Sequence, residues 1–396
     1  MNGSKQHADT YTYTTSPVAS QLQLRIFLTV TAFRQYEMIQ LDLTNAYLHA
    51  PIVDVVYIII PEGFEGQGQI ARLRKAAYGT KQGARRFYDH TALTLAKIGL
   101  KQCPNEPCLF RYIHEGEECF LLQYVDDSLI SGTTKALNHL KEQLQKHFKC
   151  KFIKPKDFLG LDISHPKPGE ITLSMKTFST KMAEVLDLKD TYPGEIITPG
   201  RTDKKVIRGQ DPEANEKYRS HVGTLNWLSM GIRYDIVYTT KELSRVLNEP
   251  TKVANEIVRR ALLYVKRTQD AHLRFSHADM MSFKIPATRK KPTDVKDNYE
   301  TKDYNITDGI TQEDDKINLE EYRHKGPTMN VVCQTDIDLA DQLETRQSTS
   351  SLMIRIQGAV VHWRAHIERI VIQSTAAGEY IALSRGNTAA KFVRDI

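Results

Sequence analysis

Residues 123–132, QYVDDSLISG, place two adjacent aspartates between two apolar runs, FLLQYV before them and SLISG after them. Asp tolerates turn geometry, so acids at the tip of a hairpin are ordinary. Two like charges beside strands that read as buried are less comfortable, because each raises the pKa of the other unless a cation offsets them. Asp126 and Asp127 are therefore either a polar turn or half of a metal site.

The rest of the chain sets the frame for that choice. Its 396 residues leave room for two or three domains. Apolar content of 40%, charged content of 26% and a net charge of +6 describe a globular chain with a mild basic surplus. Such a surplus fits a polyanionic partner and many proteins that have none. The cysteines Cys103, Cys108, Cys119, Cys150 and Cys333 form an odd, scattered set, which points to a reducing compartment rather than a disulfide framework. CPNEPC lacks the second pair or neighbouring histidine of a zinc site, so its thiols are expected to be buried. MNGSKQHADTYTYTTSP has no apolar region of the signal-peptide kind, and no apolar run approaches the ~20 residues of a membrane span. A soluble, intracellular protein is expected, cytoplasmic or nuclear, neither secreted nor bound to a membrane.

RIFLTVTAF reads as a short apolar helix, and MIQLDLTNAYL as a buried strand running into a turn. VVYIII is a second strand, closed by PEGFEGQGQ. The segment from Ala84 carries apolar residues at helical spacing, the aspartate hairpin follows, and ALNHLKEQLQKHF is an amphipathic helix. FLGLDI and ITLSMK read as further strands, which together indicate a mixed α/β domain. Residues 218–268 turn helical. Residues 281–330 are charge-rich and poor in apolar side chains, the composition of a flexible insertion or linker. VVCQTDIDLAD, SSLMIRIQGAVVHWRA and EYIALS then restore a strand, strand, helix order in a second small α/β domain.

A third acid, Asp42, sits at the end of the apolar strand QLDL. One acid at a strand end and two on a hairpin is the arrangement two-metal phosphoryl transfer requires, with two Mg²⁺ ions ~4 Å apart held by shared carboxylates. Magnesium takes a few carboxylates and leaves its other positions to water and phosphate. Tyr47 follows Asp42 closely enough to set an aromatic wall over a sugar in the same site.

YVDD is also the catalytic-loop motif of reverse transcriptases, and the chain resembles the reverse transcriptase of copia-type long-terminal-repeat retrotransposons. LDLTNAYLHAPIVDVVYIIIPEGF looks like that family's first aspartate block, and LRKAAYGTKQGARRFYD like its L-x-K-x-L-Y-G-L-K-Q-x-x-R block. CPNEPCLF, YVDD and FLG follow in the family's order. YRSHVGTLNWLSMGIRYDI and LLYVKRT resemble its helical connection segment. The likeness covers about residues 9–276 and resumes over about 331–396. It implies an α+β and α/β architecture in four parts. Residues 1–200 form a palm-type mixed sheet with helices and with the fingers largely missing, and 201–280 the helical connection. Residues 281–330 are a charged linker or insertion, and 331–396 a truncated ribonuclease H-like α/β domain.

The resemblance further implies roles. Asp42 and Asp126 look like the principal ligands of two Mg²⁺ ions, with Mn²⁺ as a substitute, and Asp127 completes the acidic cluster. Tyr47 resembles the steric gate that excludes a ribose 2′-hydroxyl, against the plainer reading of a core tyrosine. Gln82 falls near the incoming nucleotide, and Lys81, Arg85 and Arg86 are either phosphate contacts or solvated surface. Phe158 to Gly160 resemble the turn that grips the primer end. The implied reaction is attack of a primer 3′-hydroxyl on the α-phosphate of a deoxynucleoside triphosphate, without a covalent intermediate. The implied partners are an RNA or DNA template-primer, the triphosphate and other retrotransposon proteins.

The pattern also breaks. Asp336, in CQTDIDLAD, matches the first acid of the family's ribonuclease H site, but the expected glutamate falls on Ala377. Glu379 lies two helical positions on, ~200° around the axis. The family's next acid would lie beyond Ile396, so a degenerate nuclease site and no cleavage of hybrid strands are expected. A basic finger segment is expected ahead of the matched region, and only its tail is resembled here. Each missing charge-assisted contact weakens triphosphate binding by ~1.5–3 kcal/mol. Asn45, Gly83 and Glu106 depart from common family choices. A non-catalytic remnant that retains nucleic-acid binding is the alternative to an active polymerase. An aspartic protease, prompted by DSL at Asp127 and TDG at residues 307–309, lacks the apolar-strand setting.

Overall fold

The computed structural model describes residues 3, 6–189, 212–285, 328–341, 345–372 and 374–396. The charged segment expected as a linker falls mostly on residues 286–327, and TDG at 307–309 with it, outside the described residues. The first helix, α1 (Gln21–Arg34), starts at a capping box in which Ser20 and Gln23 satisfy each other's backbone N–H. Its apolar residues run all round the axis, so it is buried rather than surface-lying. Leu24, Phe27, Leu28 and Phe33 are almost inaccessible. β1 (Glu37–Leu43) then buries Leu41 and Leu43 and leaves Asp42 between them exposed.

A small two-stranded ribbon follows, β2 (Tyr57–Ile59) with β3 (Ile70–Arg72). α2 (Gly83–Ile98) comes next, then β4 (Lys101–Cys103), β5 (Glu106–His114), β6 (Glu117–Tyr124) and β7 (Asp127–Gly132). α3 (Thr134–His147) and β8 (Cys150–Ile153) complete this part. β4, β5, β6, β7, β1 and β8 form one six-stranded sheet in that spatial order. α2 and α3 cover one face over Leu41, Leu43, Leu121 and Ile130. Leu122 and Leu129 point to the other face, where α1 lies, tied to β7 by the Thr31 hydroxyl donating to Ser131 at 2.9 Å.

β9 (Asp157–Phe158), β10 (Leu161–Lys167) and β11 (Glu170–Ser174) open a second sheet. α4 (Lys176–Val185), α5 (Tyr218–Gly231), α6 (Val237–Ser244) and α7 (Lys252–Arg267) follow, and β12 (His272–Ser276) returns to pair with β11. The stretch expected as a helical connection thus contributes a strand to the same sheet as residues 157–174. α8 (His277–Ser282) closes that part. β13 (Val331–Asp338), β14 (Thr349–Ile356) and β15 (Ala359–Ile367) form a third sheet, and α9 (Thr375–Asp395) packs on it. α9 approaches through Gly378 and Gly386, which meet Ile337, Thr335 and Cys333.

Every ladder among the described strands is antiparallel. The architecture is α+β, and the parallel pairing that an α/β expectation needs does not occur among them. The physical reason lies in the connections: β6 to β7, β10 to β11 and β14 to β15 are joined by tight hairpins, which produce only antiparallel neighbours. The cysteines are all free thiols. Cys108 is buried as expected, whereas Cys103 is only half-buried. No helix among the described residues is long and apolar enough to cross a membrane.

Candidate active site

The hairpin between β6 and β7 turns at Val125 and Asp126, and Tyr124 pairs with Asp127 at its neck. Val125 takes a φ of 52°. For a β-branched side chain that is a true outlier, costing of order 1–3 kcal/mol. The turn is held from the side by the Leu43 N–H, which donates to the Asp126 carbonyl at 3.3 Å. Asp42 stands directly across the β1–β7 ladder from Asp127. Facing residues of an antiparallel pair share one side of the sheet with Cβ atoms ~4.5–5.5 Å apart. Asp42 and Asp127, far apart in the chain, thus meet because strand register makes them neighbours.

A fourth carboxylate joins them. Asp157 begins β9, and its charge acts on Asp127 together with those of Asp126 and Asp42. Burial first, and these like charges after it, push Asp127 above the ordinary carboxylate range, while a hydrogen bond from Gln40 pulls the other way. The Tyr78 hydroxyl reaches Asp126 Oδ2 at 3.5 Å, a long contact. Burial, then the Asp126 charge, raises the Tyr78 and Tyr47 phenols alike. Tyr47 is half-buried in the turn after β1, its ring 4.1 Å from that of Tyr78 and stacked 5.5 Å from Phe87. The expected gate residue thus stands within electrostatic range of the acids.

The FLG turn also comes to the site. Leu159 and Gly160 both have positive φ, 55° and 72°, and they reverse the chain between β9 and β10. Phe158 meets Tyr124 edge-on with ring centroids 6.1 Å apart. A Cβ on Gly160 would stand 3.3 Å from Trp227 Cζ2, in addition to straining the turn. Behind the hairpin, Tyr124, Leu159, Trp227, Lys241 and Trp363 line a cavity of about 700 Å³.

Gln82 is placed differently. It is fully buried at the start of α2, where its Oε1 accepts from Gln6 at 2.8 Å and its Nε2 donates to the Thr10 carbonyl at 3.0 Å. Neighbouring Gly83 packs on the Tyr47 ring. The three nearby cations have internal partners as well. Lys81 donates to the Tyr11 hydroxyl at 2.9 Å, Arg85 pairs with Asp89 at 2.9 Å, and Arg86 pairs with Asp54 at 3.1 Å. Residues far away in sequence reach two of them: Tyr11 meets Lys81, and the Thr15 carbonyl accepts from Arg85 at 3.4 Å.

Asp336 is exposed on β13, whose neighbours Thr335 and Ile337 point to the side that α9 covers. Strand alternation sends Asp336 to the opposite side. Ala377 and Glu379 on α9 are exposed.

The donor set at the hairpin is all carboxylate oxygen, the chemistry Mg²⁺ takes. Among the described residues, no three His, Cys, Asp or Glu side chains come close enough to hold one ion as they stand. Asp42 and Asp127 approach as a facing pair with Asp126 at the adjacent turn. The residues fit a divalent cation in the chemistry of their donors and in the facing placement of Asp42 and Asp127. Of the candidates expected from the sequence, the ladder brings Asp42 and Asp127 face to face with Asp126 at the adjoining turn; Asp157, Tyr78 and Gln40, which act on these acids, were not among the candidates. Only Asp157 left a trace, one position ahead of the FLG turn.

Residues 1–199 match the family described as Reverse transcriptase (RNA-dependent DNA polymerase). A retrovirus-related Pol polyprotein from transposon TNT 1-94 of Nicotiana tabacum is 26% identical over 382 residues, 93% of this chain and 25% of its own length. The Pol polyprotein from transposon RE2 of Arabidopsis thaliana is 29% identical over 391 residues, 97% of this chain and 23% of its own length. A putative transposon Ty5-1 protein of Saccharomyces cerevisiae is 28% identical over 253 residues, 62% of this chain and 81% of its own length. The chain belongs to the reverse transcriptases of copia-type retrotransposons. It spans about a quarter of the length of the plant polyproteins it matches.

Proposed function

We propose that the chain is the palm and connection of an RNA-directed DNA polymerase, extending a primer 3′-hydroxyl on an RNA or DNA template with deoxynucleoside triphosphates. The observation that carries this reading is the pairing of Asp42 with Asp127 across the β1–β7 ladder, with Asp126 in the adjoining turn and with burial and the neighbouring acid charges raising Asp127. Asp42, Asp126 and Asp127 would hold Mg²⁺, or Mn²⁺ in its place, in the two-ion manner. Bound, the ions supply charge neutralisation at the triphosphate and polarise the attacking hydroxyl. The chain's own residues align the reactants. Tyr47, backed by Tyr78 and Phe87, walls the sugar and sets the preference for deoxyribose. The turn at Phe158 to Gly160, braced by Tyr124 and Trp227, seats the primer end. Alignment and charge stabilisation of this kind are most of what phosphoryl transfer asks of a protein.

Residues 331–396 are read as a ribonuclease H-like domain whose site has decayed. This reading rests on the sequence match of Asp336 to the first nuclease acid and on Ala377 at the position where the resemblance expects a glutamate. No cleavage of RNA in a hybrid is expected. Free thiols and the nucleic-acid partner fit an intracellular site of action, cytoplasmic or nuclear, alongside other retrotransposon proteins. A second reading, a non-catalytic chain that retains nucleic-acid binding, is favoured by one observation. Lys81, Gln82, Arg85 and Arg86 already have partners within the chain.

Extension of a primed homopolymer RNA template, assayed in Mg²⁺ and in Mn²⁺, separates the two. Elongated product that disappears in Asp126→Asn is the result expected of a polymerase. No product in either metal would leave only the binding reading.

A further inference from the structure

The acid face of the six-stranded sheet continues past β1 onto the edge strand β8. Lys151 stands across the ladder from Asp42, and Ile153 from Gln40, so both lie on the side that carries the acids. Both are open to solvent: Lys151 is exposed and Ile153 is 48% exposed. Cys150 and Phe152, pointing the other way, pack into the core beneath α2 and α3. Just beyond the strand, Lys154 lines a cavity of about 570 Å³ with Met38, Ile39, His165 and Gly169. Lys149 and Lys156 flank this stretch and are exposed as well. Among the described residues none of these four ammonium groups forms an ion pair. They differ in this from Arg85 and Arg86.

One such lysine on an open edge strand and three beside it have a plain alternative: lysines blunt the free edge of a sheet against pairing with another chain. Two features go beyond that. Lys151 stands across the ladder from Asp42, beside the carboxylates, and Lys154 opens onto a cavity lined by Glu37 to Ile39 at the other end of β1, with Lys167 and Glu170 on its far wall. Cations spaced along a strand edge are complementary to a phosphodiester chain, whose charges are regularly spaced.

We propose that the β8 edge, through Lys151 and Lys154, is a backbone track that holds the phosphates of the bound template-primer beside the acids. This rests on the polymerase reading above and names the surface that would carry the nucleic acid there. The track touches phosphate and not bases, so it contributes affinity without sequence preference.

The test is the salt dependence of binding to a fluorescein-labelled RNA template annealed to a DNA primer, followed by anisotropy. Removing one lysine–phosphate pair lowers the slope of log affinity against log salt by about 0.9 on duplex. Lys151→Gln with Lys154→Gln should lower it by nearly twice that, while Lys97→Gln with Lys252→Gln, the same charge removed from α2 and α7, should leave it unchanged. An unchanged slope in the Lys151 and Lys154 variant overturns the track, as does an equal fall in the control pair. An unchanged slope with new self-association identifies the lysines as edge protection and overturns it too. Absence of salt-dependent binding in the unmodified chain would overturn the track and the polymerase reading together.

Discussion

At the scale of single residues, the site is marked by carboxylates in an unfavourable setting. Asp127 has its pKa raised in the folded chain by burial and by the charges of Asp126, Asp42 and Asp157. For a carboxyl raised on folding, the stabilising contribution is present below its unfolded pKa and is lost as pH rises through the folded value. In metal-free protein, Asp127→Asn should therefore raise the melting temperature at pH 7, and by less near pH 4. Melting curves at the two values check this; a loss of stability at pH 7 would mark Asp127 as an ordinary structural turn residue. Tyr47→Ala should admit ribonucleotides, cutting discrimination by at least about tenfold, the order expected when a steric contact of this size is removed. Competing incorporation of ribo- and deoxynucleotides measures it. The three aspartates were legible because motif spacing marks them. Asp157 was not, because only the pairing of β9 and β10 delivers it. The burial of Gln82 was equally invisible, since its partners Gln6 and Thr10 lie far off in sequence.

At the scale of elements, the β6–β7 hairpin is the part that matters most, and its geometry is unforgiving. Gly132, at the end of β7, sits so close to Cys119 and the Glu118 carbonyl that any Cβ there would collide with them. Gly132→Ala should destabilise the chain by about 3 kcal/mol, the upper range for overpacking. Chemical denaturation would read this as a lower midpoint; an unchanged midpoint would mean that the strand yields freely and does not fix the acids in place. α2, α3, α5 and α7 could be read from apolar spacing, and α1 and the hairpin strands from their apolar runs. β12 could not, because HLRFS is too short to show periodicity and is a strand only through its ladder to β11. Val125 gave no sign of its left-handed backbone, since β-branched residues ordinarily argue against one.

At the scale of the whole molecule, one buried cation joins its parts. Arg25 on α1 donates to the Val361 carbonyl at 2.6 Å on β15 and to the Met230 and Gly231 carbonyls at 2.9 and 2.7 Å at the end of α5. Its guanidinium stacks 4.2 Å from Trp363, whose Nε1 donates to the Ser229 carbonyl at 2.7 Å. Arg25→Met would leave buried carbonyls unpaired, at about 1–3 kcal/mol each. It should lower stability by about 3 kcal/mol or more and speed hydrogen exchange in both α5 and β15. Faster exchange in only one of them would show that Arg25 does not couple the C-terminal sheet to the rest. The division of the chain by composition missed this coupling, because no sequence period reveals which carbonyls an arginine will meet.

The most direct test of the polymerase reading is primer extension by Asp127→Asn, made with protein whose melting temperature is measured on the same preparation. The expected result is a chain at least as stable as the unmodified one whose extension in Mg²⁺ falls by at least about a hundredfold, the order seen when one stabiliser of transition-state charge is removed. Extension at the unmodified rate by that folded variant would contradict the central claim that the paired aspartates are a catalytic site and not a turn.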